Sequence, residues 1–141
     1  MILGIDTSLG TGVAVVEPDG VVRSQIESTD PRGHAEVIGG LIERALAEAS
    51  VRPGDISYVA AGMGPGPFTG LRVGIAAARA FALGRGIPVI PVVSHDAVAL
   101  AAARAAAAGR TIGPEDALYL RSPDVTLPAG PKRVTPLGDV A

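Results

Sequence analysis

Three groups of residues in this chain have types and spacing that could do chemistry. Asp6-Thr7-Ser8 closes the apolar opening stretch "MILGID". An acid beside hydroxyls at a strand-to-strand turn can face a nucleotide and its Mg²⁺, or it can simply be a polar turn. His34 and His95 are the two histidines of the chain. The third group is Gly62–Gly74, "GMGPGPFTGLRVG", with five glycines and two prolines. A glycine-rich loop running into a helix N-terminus is a common phosphate cradle.

The loop fails the specific phosphate patterns. No Gly-Lys-Ser/Thr follows it, as a Walker A motif requires, and Gly64-Pro65-Gly66 is followed by Pro67-Phe68-Thr69, not by the third glycine of a dinucleotide fingerprint. Its prolines remove amide donors that a phosphate would need. Pro67 fits the first position of a helix, and Gly62, Gly64 and Gly66 read as a sharp strand-to-helix turn. A zinc site wants three or four ligands. The chain has no cysteine, so His34 and His95 would need carboxylates such as Asp30 or Asp96. No Ser/His/Asp arrangement follows from the spacing. No catalytic, metal-ligating or cofactor-binding residue is therefore assigned.

The elements that must position these groups follow from the pattern. "MILGIDTS" and "TGVAVVEPDG" read as two strands, Pro18-Asp19-Gly20 as a turn, and "VVRSQIES" as a third strand, giving an antiparallel meander up to Ser28. A helix is expected from about His34 to Ser50. A buried strand, "ISYVAAGMG", leads into the glycine loop, and a second helix runs from about Pro67 to Leu83. "IPVIPVVS" is a further strand, with Ser94 placed to N-cap a third helix. The expected order is βββαβαβα, a mixed sheet with helices packed on it. Residues 111–141 hold five prolines and read as an extended tail, with Leu118–Leu120 as a candidate edge strand. The expected division is a lobe over 1–110 and the tail over 111–141.

Composition narrows the class. The chain has 141 residues, 48% hydrophobic and 18% charged, with a formal net charge of −2, which argues against a dedicated nucleic-acid binder. Aromatics are 3%, so the core must be built from Ala, Val, Ile and Leu. The opening stretch is too short for a signal peptide and meets Asp6 at once. The Ala97–Gly109 run is too short to span a membrane. The expected location is the cytoplasm.

The helices carry more apolar surface than one sheet needs. Val37, Ile38, Leu41, Ile42, Ala45, Leu46 and Ala49 fill about half of the first helix, where a stripe of about 100° suffices. Glu36, Glu43 and Arg44 make its solvated side. The second helix has an aliphatic stripe, Leu71, Ile75, Ala78 and Ala82, beside a stripe of Gly70, Gly74, Ala77 and Phe81. Two glycines inside a helix cost about 1 kcal/mol each relative to alanine, so close packing should offset them. The close neighbour is either the first helix or a second protein.

"ILGIDTS", "GMGPGPFTGLRVGIAAARAFA", "IPVIPVVSHDAVA" and "ALYLRSPDV" resemble the TsaB (YeaZ) family over about residues 1–108 and 118–125. The resemblance implies a lobe of the actin/sugar kinase/Hsp70-like (ribonuclease H-like) superfamily. It implies a non-catalytic subunit that binds the related protein TsaD, with TsaE in the same complex and a homodimer as the alternative assembly. That complex makes threonylcarbamoyladenosine next to the anticodon of tRNAs. ATP and Mg²⁺ serve the wider complex, and the resemblance implies no cofactor on this chain and only indirect contact with tRNA. The family's partner seam is formed by the first two helices, which implies Ile38, Leu41, Ile42, Ala45, Gly70, Val73, Gly74, Ala77 and Phe81 here. Two features depart from the family: Pro67 stands where a serine is usual, and the chain passes from "AAAAGR" to "TIGPEDALYLR" without the family's second lobe. The competing readings are an ATP-dependent phosphotransferase of the same superfamily and a truncated remnant without function.

Overall fold

The computed structural model describes residues 1–30 and 33–94. Small and β-branched residues in "ILGID", "TGVAVV" and "VRSQIES" form β1 (Ile2–Asp6), β2 (Thr11–Val16) and β3 (Val22–Ser28). They pair antiparallel as a meander. The turn before β3 is held by Asp19 Oδ1, which accepts the Val21 N–H at 3.1 Å, and by Gly20 at φ 96°, a conformation glycine adopts without steric cost.

The helix α1 (His34–Glu48) then crosses over, so that β4 (Tyr58–Gly62) pairs parallel with β1. A second crossover through α2 (Phe68–Arg85) brings β5 (Val89–Val92) parallel to β4. Parallel neighbours need such crossovers because a tight turn cannot join them. The sheet is mixed and five-stranded, in the order β3-β2-β1-β4-β5.

Alternation along the strands sends Leu3, Ile5, Val13, Val15, Ile26, Val59 and Ala61 to one core with both helices. Ile2, Val16, Ala60 and Val92 form a second buried cluster. Between β3 and α1, the buried Ser24 hydroxyl donates to Ala45 O at 2.7 Å. Both helices end through left-handed residues that let a following amide reach back into the last turn. Ser50 has φ 56° and Gly86 φ 66°, and Val51 N–H donates to Leu46 O at 2.9 Å and Ile87 N–H to Ala82 O at 3.0 Å.

The structure moves some expected boundaries. Pro67 precedes α2 with an extended backbone, φ −61° and ψ 138°, and so is not the first helical residue. The fourth strand starts at Tyr58 because Pro53–Asp55 form a short 3-10 helix. The Arg85 guanidinium pins that turn, donating to Pro53 O at 3.0 Å and Gly54 O at 3.1 Å. The expected third helix, the extended tail, the Leu118–Leu120 strand and the 1–110/111–141 division concern residues outside those described. Among the described residues no helix is long and apolar enough to cross a membrane.

Candidate functional site

The C-terminal ends of β1 and β4 gather the polar residues. Asp6 stands opposite Gly12 in the β1–β2 register. Its Oδ1 accepts the Ser8 N–H at 2.7 Å, while Oδ2 is buried and has no hydrogen-bond partner among the described residues. Gly62 lies beside that carboxylate: a Cβ there would overlap Asp6 Oδ2 and stand 2.7 Å from Ser94 Oγ. Ser94 Oγ accepts the Gly64 N–H at 2.9 Å, and Ser94 N–H donates to Gly64 O at 2.8 Å. A Cβ on Gly66 would come within 2.9 Å of Ser8 Cα.

These contacts divide the glycines by role. Gly64, at φ 101°, makes the turn. Gly62 and Gly66 serve close approach by the β1 end, which corrects the reading of all three as turning residues. The Gly64 amide faces Ser94 Oγ and is not free for a phosphate, and the Asp6 carboxylate lies against Gly62 at the start of the loop. The role of Ser94 as a helix cap depends on residues outside those described.

Thr7 and His34 explain the helical glycines. Thr7 Oγ1 donates to Gly70 O at 2.7 Å and accepts the Gly74 N–H at 3.2 Å. A Cβ on Gly74 would overlap the Thr7 hydroxyl, and one on Gly70 would stand 2.8 Å from Thr7 O and 3.1 Å from His34 Nε2. His34, the first residue of α1, shares a 2.7 Å hydrogen bond between Nδ1 and Thr11 Oγ1. Gly70 and Gly74, expected on a partner seam, have as their close neighbours Thr7, just past the end of β1, and, for Gly70, His34 of α1. No group of three metal-ligating side chains occurs among the described residues, and His95 and Asp96 lie outside them.

The remaining seam residues divide by depth. Ile38, Leu41 and Ala45 are buried at 8%, 6% and 0% exposure, because α1 spends the middle of its apolar arc on β2 and β3. They too belong to the lobe's own core. Ile42, Val73, Ala77 and Phe81 pack against that core but are only partly buried. Gly39 and Gly40 are exposed, and a Cβ on either would meet nothing within 4 Å among the described residues. Glu36, Glu43, Arg72 and Arg79 are exposed on the same two helices. The Arg44–Glu48 pair spans 4.0 Å, and the Arg72 guanidinium lies 4.8 Å over the Phe68 ring. Leu83, at 85% exposure, was absent from the expected seam. The Thr11–His34 bond was also missed, although Thr11 shares the inward period of Val13 and Val15 and so was legible as a helix-facing hydroxyl.

The family described as "TsaD: tRNA N6-adenosine threonylcarbamoyltransferase" matches residues 21–114. The chain belongs to the TsaD/YeaZ family. Its sheet and two helices match a solved YeaZ from Pseudomonas aeruginosa with a TM-score of 0.61 and 31% identity, covering 65% of this chain and 43% of that one. An uncharacterized protein of Mycobacterium tuberculosis is 40% identical over 79% of this chain and 50% of its own length. A tRNA N6-adenosine threonylcarbamoyltransferase of Streptococcus pneumoniae is 44% identical over 73% of this chain and 35% of its own length. The chain thus spans half or less of these TsaD/YeaZ relatives. Its mixed five-stranded sheet with two helices is an actin-like lobe of the YeaZ type.

Proposed function

We propose that this chain is a non-catalytic, YeaZ (TsaB)-like subunit that docks on a TsaD-family protein and supports threonylcarbamoyl transfer to the adenosine beside the anticodon of tRNAs. The observation that carries the reading is the open edge of the α1–α2 layer. Ile42, Val73, Ala77 and Phe81 are apolar, partly buried and packed on the core beneath them, and among the described residues nothing lies within 4 Å of a Cβ on Gly39 or Gly40, room for another backbone. Apolar side chains on small-residue surroundings let a partner helix come close and bury them. The inner residues of the expected seam, Ile38, Leu41, Ala45, Gly70 and Gly74, support this surface from below and do not form it. In this reading TsaE joins the complex, tRNA is contacted indirectly, ATP and Mg²⁺ act elsewhere in the assembly, and the setting is the cytoplasm. A second copy of the chain is the competing occupant.

Calorimetric titration with a purified TsaD-family protein tests the docking. Binding by the native chain and its loss in Ala77→Glu is the expected result. No binding by the native chain, or undiminished binding by the variant, overturns it.

The buried Oδ2 of Asp6, unpartnered among the described residues, favours one second reading, a phosphotransferase of the same superfamily with a Mg²⁺-nucleotide at this turn. Mg²⁺-dependent ATP turnover well above a denatured control, lost in Asp6→Asn, would establish it.

A further inference from the structure

We propose that Thr7 and Thr11 are positioning residues whose hydroxyls clasp the first turns of α2 and α1 to the β1–β2 turn and so set the spacing of the two helices. The consequence for partner docking rests on the docking reading above; the clasp itself does not.

The bonds are placed for this task. Thr7 reaches the α2 main chain itself, between a carbonyl and an amide one helical turn apart, Gly70 O at 2.7 Å and Gly74 N–H at 3.2 Å. A hydroxyl can donate to the one and accept from the other at the same time. No side chain intervenes, because both α2 residues are glycine. Thr7 is 1% exposed, so water does not compete for these groups. Threonine is also stiff about χ1, which fixes its Oγ1 relative to β1.

On the other side of the same turn, Thr11 is equally buried at 1% exposure and holds the His34 ring at the start of α1 through a 2.7 Å bond. His34 Nε2 in turn points at Gly70, standing 3.1 Å from where a Cβ would be. The turn therefore touches both helix starts, and the helix starts touch each other. The turn is closely backed, since Gly10 lies so near the end of β3 that a Cβ there would stand 2.7 Å from Ser28 O. Displacing Thr7 or Thr11 must change how α1 and α2 sit side by side. Val73, Ala77 and Phe81 on α2 and Ile42 on α1 would then no longer present one surface.

The experiment uses the full chain with spin labels on two exposed helix positions, Glu43→Cys on α1 and Arg79→Cys on α2. The distance distribution between them is compared for Thr7, Thr7→Val and Thr7→Ser, with partner affinity measured alongside, both well below each thermal midpoint. Valine keeps the shape and loses both hydrogen bonds; serine keeps the hydroxyl. The expected result is a shifted or broadened distribution in Thr7→Val and near-native behaviour in Thr7→Ser. Affinity should fall at least about tenfold in Thr7→Val, the size expected when hydrogen bonds of ordinary strength no longer support the bound arrangement.

A native distance distribution in folded Thr7→Val overturns the clasp, whatever the affinity does. A shifted distribution without any fall in affinity keeps the clasp and removes its link to docking. Undiminished binding by Ala77→Glu removes the docking reading and leaves the distance result to stand. Should Thr7→Val fail to fold, Thr11→Val releases only His34 and α1, and the same comparison with Thr11→Ser decides.

Discussion

The Thr7 hydroxyl occupies the place that a side chain on Gly74 would take, accepting the Gly74 N–H at 3.2 Å. Sixty-seven positions separate the two residues, yet each fixes what the other can be. A larger residue at 74 has to displace the Thr7 side chain, and with it the bonds to Gly70 and Gly74, or shift α2.

Gly74→Ala should therefore destabilise the lobe, although alanine is the better helix former by about 1 kcal/mol. Overpacking against Thr7, about 1–3 kcal/mol, should exceed that gain and leave a net cost of up to about 2 kcal/mol, read as a lower thermal midpoint. Adding Thr7→Ala should recover part of the loss, since it removes the overlapping hydroxyl and methyl. Contacting residues typically couple by about 0.5–3 kcal/mol. A double variant no more stable than the sum of the singles would refute the contact.

Ala77→Glu should leave the thermal midpoint within a few degrees of native, because Ala77 is only partly buried and lies at the rim of the core. Surface substitutions away from special features usually fall within about 0.5 kcal/mol. Binding to a TsaD-family protein should be lost, since a charge would be carried into an apolar contact. A large fall in midpoint with intact binding among folded molecules would assign Ala77 to the core instead.

Asp6→Asn should raise the midpoint. The amide keeps an oxygen for the Ser8 N–H and places an NH₂ where the unpartnered Oδ2 is buried, on the side toward Ser94 Oγ. A buried polar group without a partner costs about 1–3 kcal/mol, so a rise of that order or below is expected in thermal or urea unfolding. A fall would show that the carboxylate itself is required, and would strengthen the nucleotide reading of this turn.

The Arg52 side chain holds the Asp55 carboxyl below the usual carboxylate range, mainly by hydrogen bonding, with the Arg52 backbone N–H adding to it. A folded value below the unfolded one gives stability that is present above the unfolded value and lost as pH falls through the folded value. Asp55→Asn should therefore be slightly less stable than native at neutral pH. The gap should close as pH falls below the ordinary carboxylate range, and shrink in high salt because the pair is exposed. Midpoints of both proteins recorded across the acid range check the sign.

Much of the lobe was determined by local pattern. Period-two alternation in "ILGID" and "TGVAVV", a turn at Pro18-Asp19-Gly20, and two helical stretches ending near Ser50 and Gly86 suffice for the meander, both helices and the parallel strands they connect. The glycines at 70 and 74 also announced close packing, since nothing else offsets their helical cost. What the sequence could not say is what they pack against. A periodic stripe reports that a face is covered and is silent on whether the cover is the chain's own sheet or another protein, because both remove the same water. Only the tertiary structure brings Thr7 onto Gly70 and Gly74, His34 onto Thr11, and Asp6 onto Gly62. It thereby turns Ile38, Leu41, Ala45 and the two glycines inward and leaves Ile42, Val73, Ala77 and Phe81 at the surface. Those contacts join residues from 23 to 67 positions apart, and spacing along one chain carries no record of a neighbour that only the crossover connections bring into reach.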